Sequence, residues 1–467
     1  MENNYDKQNI WTRIIEPKEQ IYEHQKLFTN SKLKKLIIPL FFEQLLIMLV
    51  GVVDTLMISY AGEAAVSGVS LVNMFNTIFI YLFTALASGG SIVISQYIGK
   101  KDRKNANMSA SQLMTVSILF SCAVIIIVLI FNRELLHLLF GNVDEDVMAA
   151  CVTYLKISSY SYIFLAIYNT GAALCRSMGK TDITMNISII SNVINIVGNA
   201  IGIFVLHAGV AGVAYPSLIS RIFSALIITI ICFQKKNKVS LKIKQIIYWN
   251  SKMIKRILKI AVPNGIENGI FQFAKVALSS ITALFGTSQI AANGVAQSFW
   301  SIAALIGVSM GPAFITIIGQ CIGAGDFDVA DYYIKKLLRI TFAASIVWNV
   351  LILAAVPYTL KVYALSDETI YLVIILVIIH NIVNSILFPL SGPLSYGLRA
   401  AGDVKYTMYV SIFATVICRV LFSIIFAVWM NLGVIGIAIA MCCDWGIRSI
   451  LFVKRYKSGK WKRFSVI

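Results

Sequence analysis

The chain has 467 residues, 58% hydrophobic and only 13% charged, with a mean hydropathy of +0.79. Soluble domains carry about 25% charged residues, so this composition excludes an ordinary water-soluble globular protein. The net charge of +18 does not mark a nucleic-acid binder, because Lys and Arg stand in short clusters between apolar stretches and are not interleaved with aromatics.

Residues 1–35 are polar and mixed in charge, and are expected to be a cytoplasmic segment. Scattered Ile, Trp and Leu predict a short surface helix there. With no signal peptide evident, the first span is expected to direct insertion itself. Long apolar stretches follow at 36–60, 70–98, 108–131, 151–174, 183–206 and 210–233, and again at 258–285, 293–322, 337–357, 371–397, 406–430 and 433–453. A helix needs about 20 residues to cross the hydrocarbon core. The expected fold is therefore all-α and polytopic, with twelve transmembrane helices. The expected division is an N-lobe at 36–233, a solvated cytoplasmic linker at 234–257, a C-lobe at 258–453 and a basic cytoplasmic tail at 454–467.

Basic residues fix the orientation. Lys32, Lys34 and Lys35 precede the first span, Lys100, Lys101, Arg103 and Lys104 follow the second, and Arg176 and Lys180 follow the fourth. Lys335, Lys336 and Arg339 follow the eighth, and the tail is basic. The alternate loops are nearly free of Lys and Arg and hold Glu63 and the run Asp144, Glu145, Asp146. Both termini are accordingly expected in the cytoplasm of a cell-membrane protein.

The two halves match at a shift of 224 residues: Pro39 meets Pro263, Glu43 meets Glu267, Gly62 meets Gly286, Gln96 meets Gln320, Gly99 meets Gly323 and Asp102 meets Asp326. Six spans per half is an even number, so both halves insert with one orientation. Two six-helix bundles related by a pseudo-two-fold axis along the membrane normal are expected, with a cavity between them. The eight cysteines lie in or at the ends of apolar stretches with no CxxC spacing, and read as small buried residues and not as ligands or disulfides.

The stretch FFEQLLIMLVGVVDTLMISYAGEAAVSGVS ending in SQYIGKKD resembles the opening of multidrug and toxic compound extrusion (MATE) transporters. The second half repeats it as PNGIENGIFQFAKVALSSITALFGTSQIAANGVAQ ending in GQCIGAGD, and each half has an LR-x-x-G-like element, at Arg176 and at Arg399. The resemblance covers essentially everything after residue 30. It implies a secondary active antiporter that exports drug-like, often cationic, organic compounds in exchange for protons or sodium by alternating access. It implies no enzyme activity and no cofactor beyond the coupling ion. A monomer is expected, with a small organic substrate and membrane lipid as its partners. The absence of a GxxxxGK[ST] phosphate loop agrees.

A carboxylate within the bilayer is costly, about 2.5–3.5 kcal/mol on insertion scales, and so marks function by default. Asp54 lies deep in the first span. Its VDT setting resembles the family's first-helix aspartate, which takes part in proton or sodium coupling; the alternative is a carboxylate that only holds the bundle together. Asn195 and Asn199, four residues apart, share a face of the fifth span. They resemble a family pair whose second member is often an aspartate. Ser217 and Asn169 fall where the family places further polar ligands. Asp54, Asn195 and Asn199 together offer a possible sodium site of one charged and several neutral oxygens, or interhelical amide contacts alone.

In the second half the substrate-cavity candidates are Glu267, Phe271, Lys275, Gln297 and Tyr396. The family often has a substrate-contacting glutamate on the seventh helix. Counted back from Gly286 that position falls on Phe271, one turn after Glu267, and the recurrence of Glu43 allows both glutamates to be structural. Lys275 aligns with Gly51 and so has no counterpart, which points to a specific role as partner of Glu267 or of Asp444. Arg419, Asp444 and Arg448 are candidates for a charged cluster. A flippase for lipid-linked saccharides is the alternative function, a membrane sensor a third. A facilitator-superfamily transporter is disfavoured by the poor match of Gly99–Lys104 to G-x-x-x-D-R-x-G-R/K.

Overall fold

A computed structural model describes residues 14–17, 19, 21–141, 143–361, 363, 365–464, 466 and 467, and among them every regular element is helical. Twelve helices account for the twelve spans. In chain order they are α1 (Asn30–Ser59), α2 (Glu63–Gly99), α3 (Arg103–Ile130) and α4 (Glu145–Tyr160 with Tyr162–Ser177, bent by 44°). Next come α5 (Thr181–Val205), α6 (Ala211–Phe233) and α7 (Ser251–Thr282). The last five are α8 (Thr287–Gly323), α9 (Phe327–Leu360), α10 (Asp367–Ala400), α11 (Val404–Trp429) and α12 (Gly433–Lys457). Ten helices among the described residues are long and apolar enough to cross a membrane, and the bent α4 makes eleven. The remaining one, α7, has 32 residues but too many charged and amide side chains to qualify by composition.

The chain forms two compact units, Ser31–Gly265 and Ile266–Val466, the second including the segment up to Asn30. Within each, the same local devices recur. The entries to α2 and α8 are Gly62 at φ 103° and Gly286 at φ 82°, left-handed conformations that an L side chain resists. Asp102 caps α3 by accepting from the Asn105 N–H at 3.0 Å, and Asp326 caps α9 by accepting from the Val329 N–H at 3.0 Å. The repeated glutamates find the arginines of the LR-x-x-G elements. Arg176 donates to Glu43 at 2.7 Å, and Arg399 donates to both oxygens of Glu267 at 2.7 and 2.8 Å. Thr184 donates to Glu43 at 3.0 Å, while Thr407 accepts from Arg399 at 3.2 Å.

The register of the repeat changes by one residue within α11. Arg176 and Arg399 are 223 apart, as are Thr184 and Thr407, whereas Gly209 and Gly433 are 224 apart. The first half has one π-helical stretch, Ile201–Val205; the second has Ala414–Leu421 as well as Ile424–Trp429. A π-turn holds one more residue than an α-turn, so the additional π stretch absorbs the extra residue.

Backbone groups freed by irregularity are answered inside the protein, as hydrocarbon requires. Where α8 breaks near Ala304, Trp348 donates to the Ile302 carbonyl at 2.8 Å and Asn384 to the Ala303 carbonyl at 3.1 Å. The solvated linker expected at 234–257 ends earlier, at residue 250, because α7 begins at Ser251, and it is only half solvated. Lys235, Lys236 and Lys238 are exposed, but Asn237, Val239, Ser240 and Leu241 are buried. Polar groups of α3 hold it: Arg103 donates to the Lys235 and Asn237 carbonyls, both at 2.9 Å, and Asn107 accepts from the Ser240 N–H at 2.9 Å. All eight cysteines are free, five of them buried.

Of the expected N-terminal surface helix, residues 1–13 lie outside the described residues; Ile14 and Ile15 are helical, and Glu23–Gln25 form a 3₁₀ turn. This segment is pinned to α9. The buried Lys336 ammonium donates to Glu16 at 2.6 Å, Tyr332 donates to the same carboxylate, and Tyr333 accepts from the Phe28 N–H at 2.9 Å.

Three outcomes follow from these contacts. Gly202 and Gly212 are in backbone contact, and a Cβ on Gly202 would lie 2.2 Å from the Gly212 oxygen. Gly202→Val should therefore lower stability by about 1–3 kcal/mol, read as a reduced thermal midpoint in detergent. Arg176→Ala or Arg399→Ala strands a carboxylate inside a helix bundle and should cost about 3–5 kcal/mol, seen as loss of monodisperse protein. Burial acts to raise the pKa of Glu16, but hydrogen bonds from Lys336, Tyr332 and Asn30 and the Lys336 charge hold it below the ordinary 4.5. A depressed carboxylate adds stability above its unfolded pKa and loses it as pH falls through the folded one. The segment should thus undock as pH drops below 4.5, exposing new protease cleavage before Asn30, while Glu16→Gln should weaken docking already at neutral pH.

Candidate functional site

The first unit gathers four of the five residues expected in cation coupling. The α1 helix carries Asp54 in its last two turns, where the Val-Val-Asp-Thr sequence offers no local partner. The α5 helix answers it: Asn199 Nδ2 donates to Asp54 Oδ1 at 2.7 Å. The same Nδ2 lies 3.4 Å from Asn195 Oδ1, and Asn195 Nδ2 donates to Ser217 Oγ on α6 at 3.0 Å. A continuous polar chain Asp54–Asn199–Asn195–Ser217 thus joins three helices. Asn199 is fully buried and its Oδ1 has no hydrogen-bond partner among the described residues. Asn169, on the second half of α4, is not hydrogen-bonded into this chain; its Nδ2 is buried and has no partner among the described residues.

Arg221 on α6 was not among the sequence candidates. Its guanidinium donates to Ser161 Oγ at 2.5 Å, at the bend of α4. Around it Tyr162 donates to Asn76 at 2.5 Å and Tyr154 to Asn73 at 3.3 Å, both on α2. A lone arginine in an otherwise apolar span, in SLISRIFS, was the signal that could have found it.

In the second unit the five substrate-cavity candidates separate. Glu267 is held by Arg399, whose guanidinium lies 5.5 Å from the Tyr396 ring centre. Gln297 on α8 is half-buried, and its carbonyl accepts from Ser301 at 2.9 Å. Lys275 pairs with neither expected partner, because Glu267 is taken by Arg399 and Asp444 by two other arginines. Its ammonium instead sits 5.2 Å from the Phe271 ring centre, and Arg419 lies 5.0 Å from that same ring.

Arg419, Asp444 and Arg448 do form a cluster. Arg419 is 2.8 Å and Arg448 2.6 Å from the two oxygens of a fully buried Asp444. Arg448 also donates to Thr415 at 2.6 Å. Arg419 belongs to the additional π stretch of α11, a kind of irregularity that recurs at functional sites. Beside the cluster, Trp445 stacks on Trp300 with centroids 6.1 Å apart and meets His380 edge-on at 6.4 Å. Buried His380, with neither ring nitrogen hydrogen-bonded among the described residues, was likewise missed by sequence reasoning.

Known proteins match this architecture along nearly its whole length. The uncharacterized transporter YisQ of Bacillus subtilis is 26% identical, over 94% of this chain and 98% of its own. The probable multidrug resistance protein NorM of Thermotoga maritima is 24% identical, over 97% of this chain and 96% of its own. A crystal structure of MATE in complex with MaL6 superposes with a TM-score of 0.86 at 20% identity, covering 93% of this chain and 97% of that one, a likeness of fold. The MatE family matches twice, over residues 39–201 and 263–425, at the 224-residue offset of the internal repeat. With both halves matched and a bundle of long apolar helices in place, the chain belongs to the MatE family of multi-pass membrane transporters.

Proposed function

We propose that the protein exports drug-like organic compounds from the cell, driven by the inward flow of protons or sodium through alternating access, with both termini cytoplasmic. The observation that carries this reading is Asp54, a half-buried carboxylate late in α1, tied to Asn199 and not neutralised by an ion pair. The multidrug resistance relatives support the substrate class. A charge so placed is stabilised by ligand or water in one access state and by protonation in another, the differential affinity that alternating access requires.

The donor set favours protons. Asn199 presents its amide nitrogen to Asp54, and the oxygens of Asn195 and Ser217 already accept hydrogen bonds. Sodium seeks oxygen ligands, and would need Asn199 to turn its unpartnered oxygen inward. A proton needs only a free position on the Asp54 carboxylate. The flippase reading has its own support in the cationic cluster on α7, α11 and α12, which suits a phosphate head group.

In inverted vesicles, an imposed pH gradient should drive uptake of a cationic dye, and Asp54→Asn should reduce it to the level of empty vesicles. Uptake driven by neither a pH nor a sodium gradient would overturn the antiport reading. Asn199→Asp supplies a second carboxylate, and should make transport respond to sodium at fixed pH.

A further inference from the structure

The charged cluster of the second unit stands where the first unit keeps neutral polar groups. Beyond the π stretch of α11 the repeat runs at 224 residues, so Ser220 corresponds to Asp444 and Ser224 to Arg448. Arg419 stands 224 residues after Asn195, and Lys275 stands where the first unit has Gly51. Asp54, the acid of the first unit, corresponds to Leu278. The polar centre built around an acid in one half is thus built around cations in the other.

Two cations, Arg419 and Arg448, occupy the two oxygens of Asp444, and a third, Lys275, lies against the same Phe271 ring as Arg419. Among the described residues, Arg419 Nε is buried without a hydrogen-bond partner, and so are both nitrogens of His380. Lys275 is exposed and has no carboxylate partner among the described residues. An uncompensated ammonium is costly against hydrocarbon, whereas one facing water or a ligand is not. Lys275 and Arg419 both lie against the Phe271 ring, 5.2 and 5.0 Å from its centre, a two-cation arrangement whose mutual repulsion a bound anion would relieve. Trp300 beside the cluster, its indole N–H without a partner among the described residues, adds a flat apolar wall with a donor.

We propose that Lys275, Arg419 and Phe271 form a site for an amphipathic organic anion, in which a carboxylate or phosphate lies at Lys275 and Arg419 and the apolar body lies along the aromatic side chains. The proposal deepens the transport reading above by naming a substrate class opposite in charge to the one the resemblance implied. Lys275 acts as the accessible contact. Asp444 and Arg448 are positioning residues that fix the Arg419 guanidinium.

The test uses two dyes sharing one tricyclic ring system, fluorescein as the anion and rhodamine 123 as the cation. Binding to the purified chain in detergent is followed by quenching of tryptophan fluorescence, and transport in inverted vesicles. Lys275→Gln should weaken fluorescein binding by about tenfold or more, the weight of one charge-assisted contact. Lys275→Glu should reverse the preference towards rhodamine, and Lys275→Arg should retain it. Competition by a soluble short-chain alkyl phosphate against phosphatidic acid in nanodiscs separates a free anion from a lipid head group, and displacement by either supports the site. Rhodamine transport without fluorescein binding overturns this inference and leaves the efflux reading standing. Fluorescein binding that Lys275→Gln impairs, with no transport of either dye, supports the site and removes the efflux reading. Unchanged fluorescein affinity in both Lys275→Gln and Lys275→Glu overturns the site outright.

Discussion

A charge placed among membrane-crossing helices must be met by an opposite charge, by a hydrogen-bonding partner or by water, and the internal architecture of this protein is organised by that requirement. Glu43 and Glu267 would each be untenable alone. Each is met by an arginine from the end of a helix more than a hundred residues away in sequence, Arg176 and Arg399. The pairing ties the start of the spans in each half to their later helices and so sets the register of the bundle. Buried pairs of this kind add little net stability over apolar packing, but losing one partner is severe. Their value lies in specifying which helices meet.

The same requirement explains the irregular helices. The break near Ala304 frees carbonyls that Trp348 and Asn384 collect. The bend of α4 at Ser161 is braced by Arg221. The additional π stretch of α11 accommodates one residue and carries Arg419 to Asp444. Each of these three irregularities is accompanied by a polar contact with a neighbouring helix, and two of the side chains involved, Arg221 and Arg419, lie at the candidate polar centres.

Duplication therefore supplies a frame with two polar centres that need not be alike. The first is acid-based, with amides from α5 around Asp54. The second is cation-rich, with an aromatic wall. A transporter with centres of opposite sign can bind a coupling cation and an organic anion without the two competing for one group.

The linear sequence was enough to determine twelve spans, the repeat and the shared scaffold residues, because hydrocarbon thickness and charge exclusion act on local composition. It placed Asp54, Asn195, Asn199 and Ser217 on candidate faces, since helical spacing alone brings residues four apart together. Partnership was decided only in three dimensions. Lys275 was expected to meet Glu267 or Asp444, but those carboxylates lie nearer to Arg399 and to Arg419 and Arg448, from helices far along the chain. Arg221 and His380 are single residues in apolar spans whose meaning depends on what a neighbouring helix presents to them. Period and composition report which face of a helix is polar; only the packed bundle decides which polar face it meets.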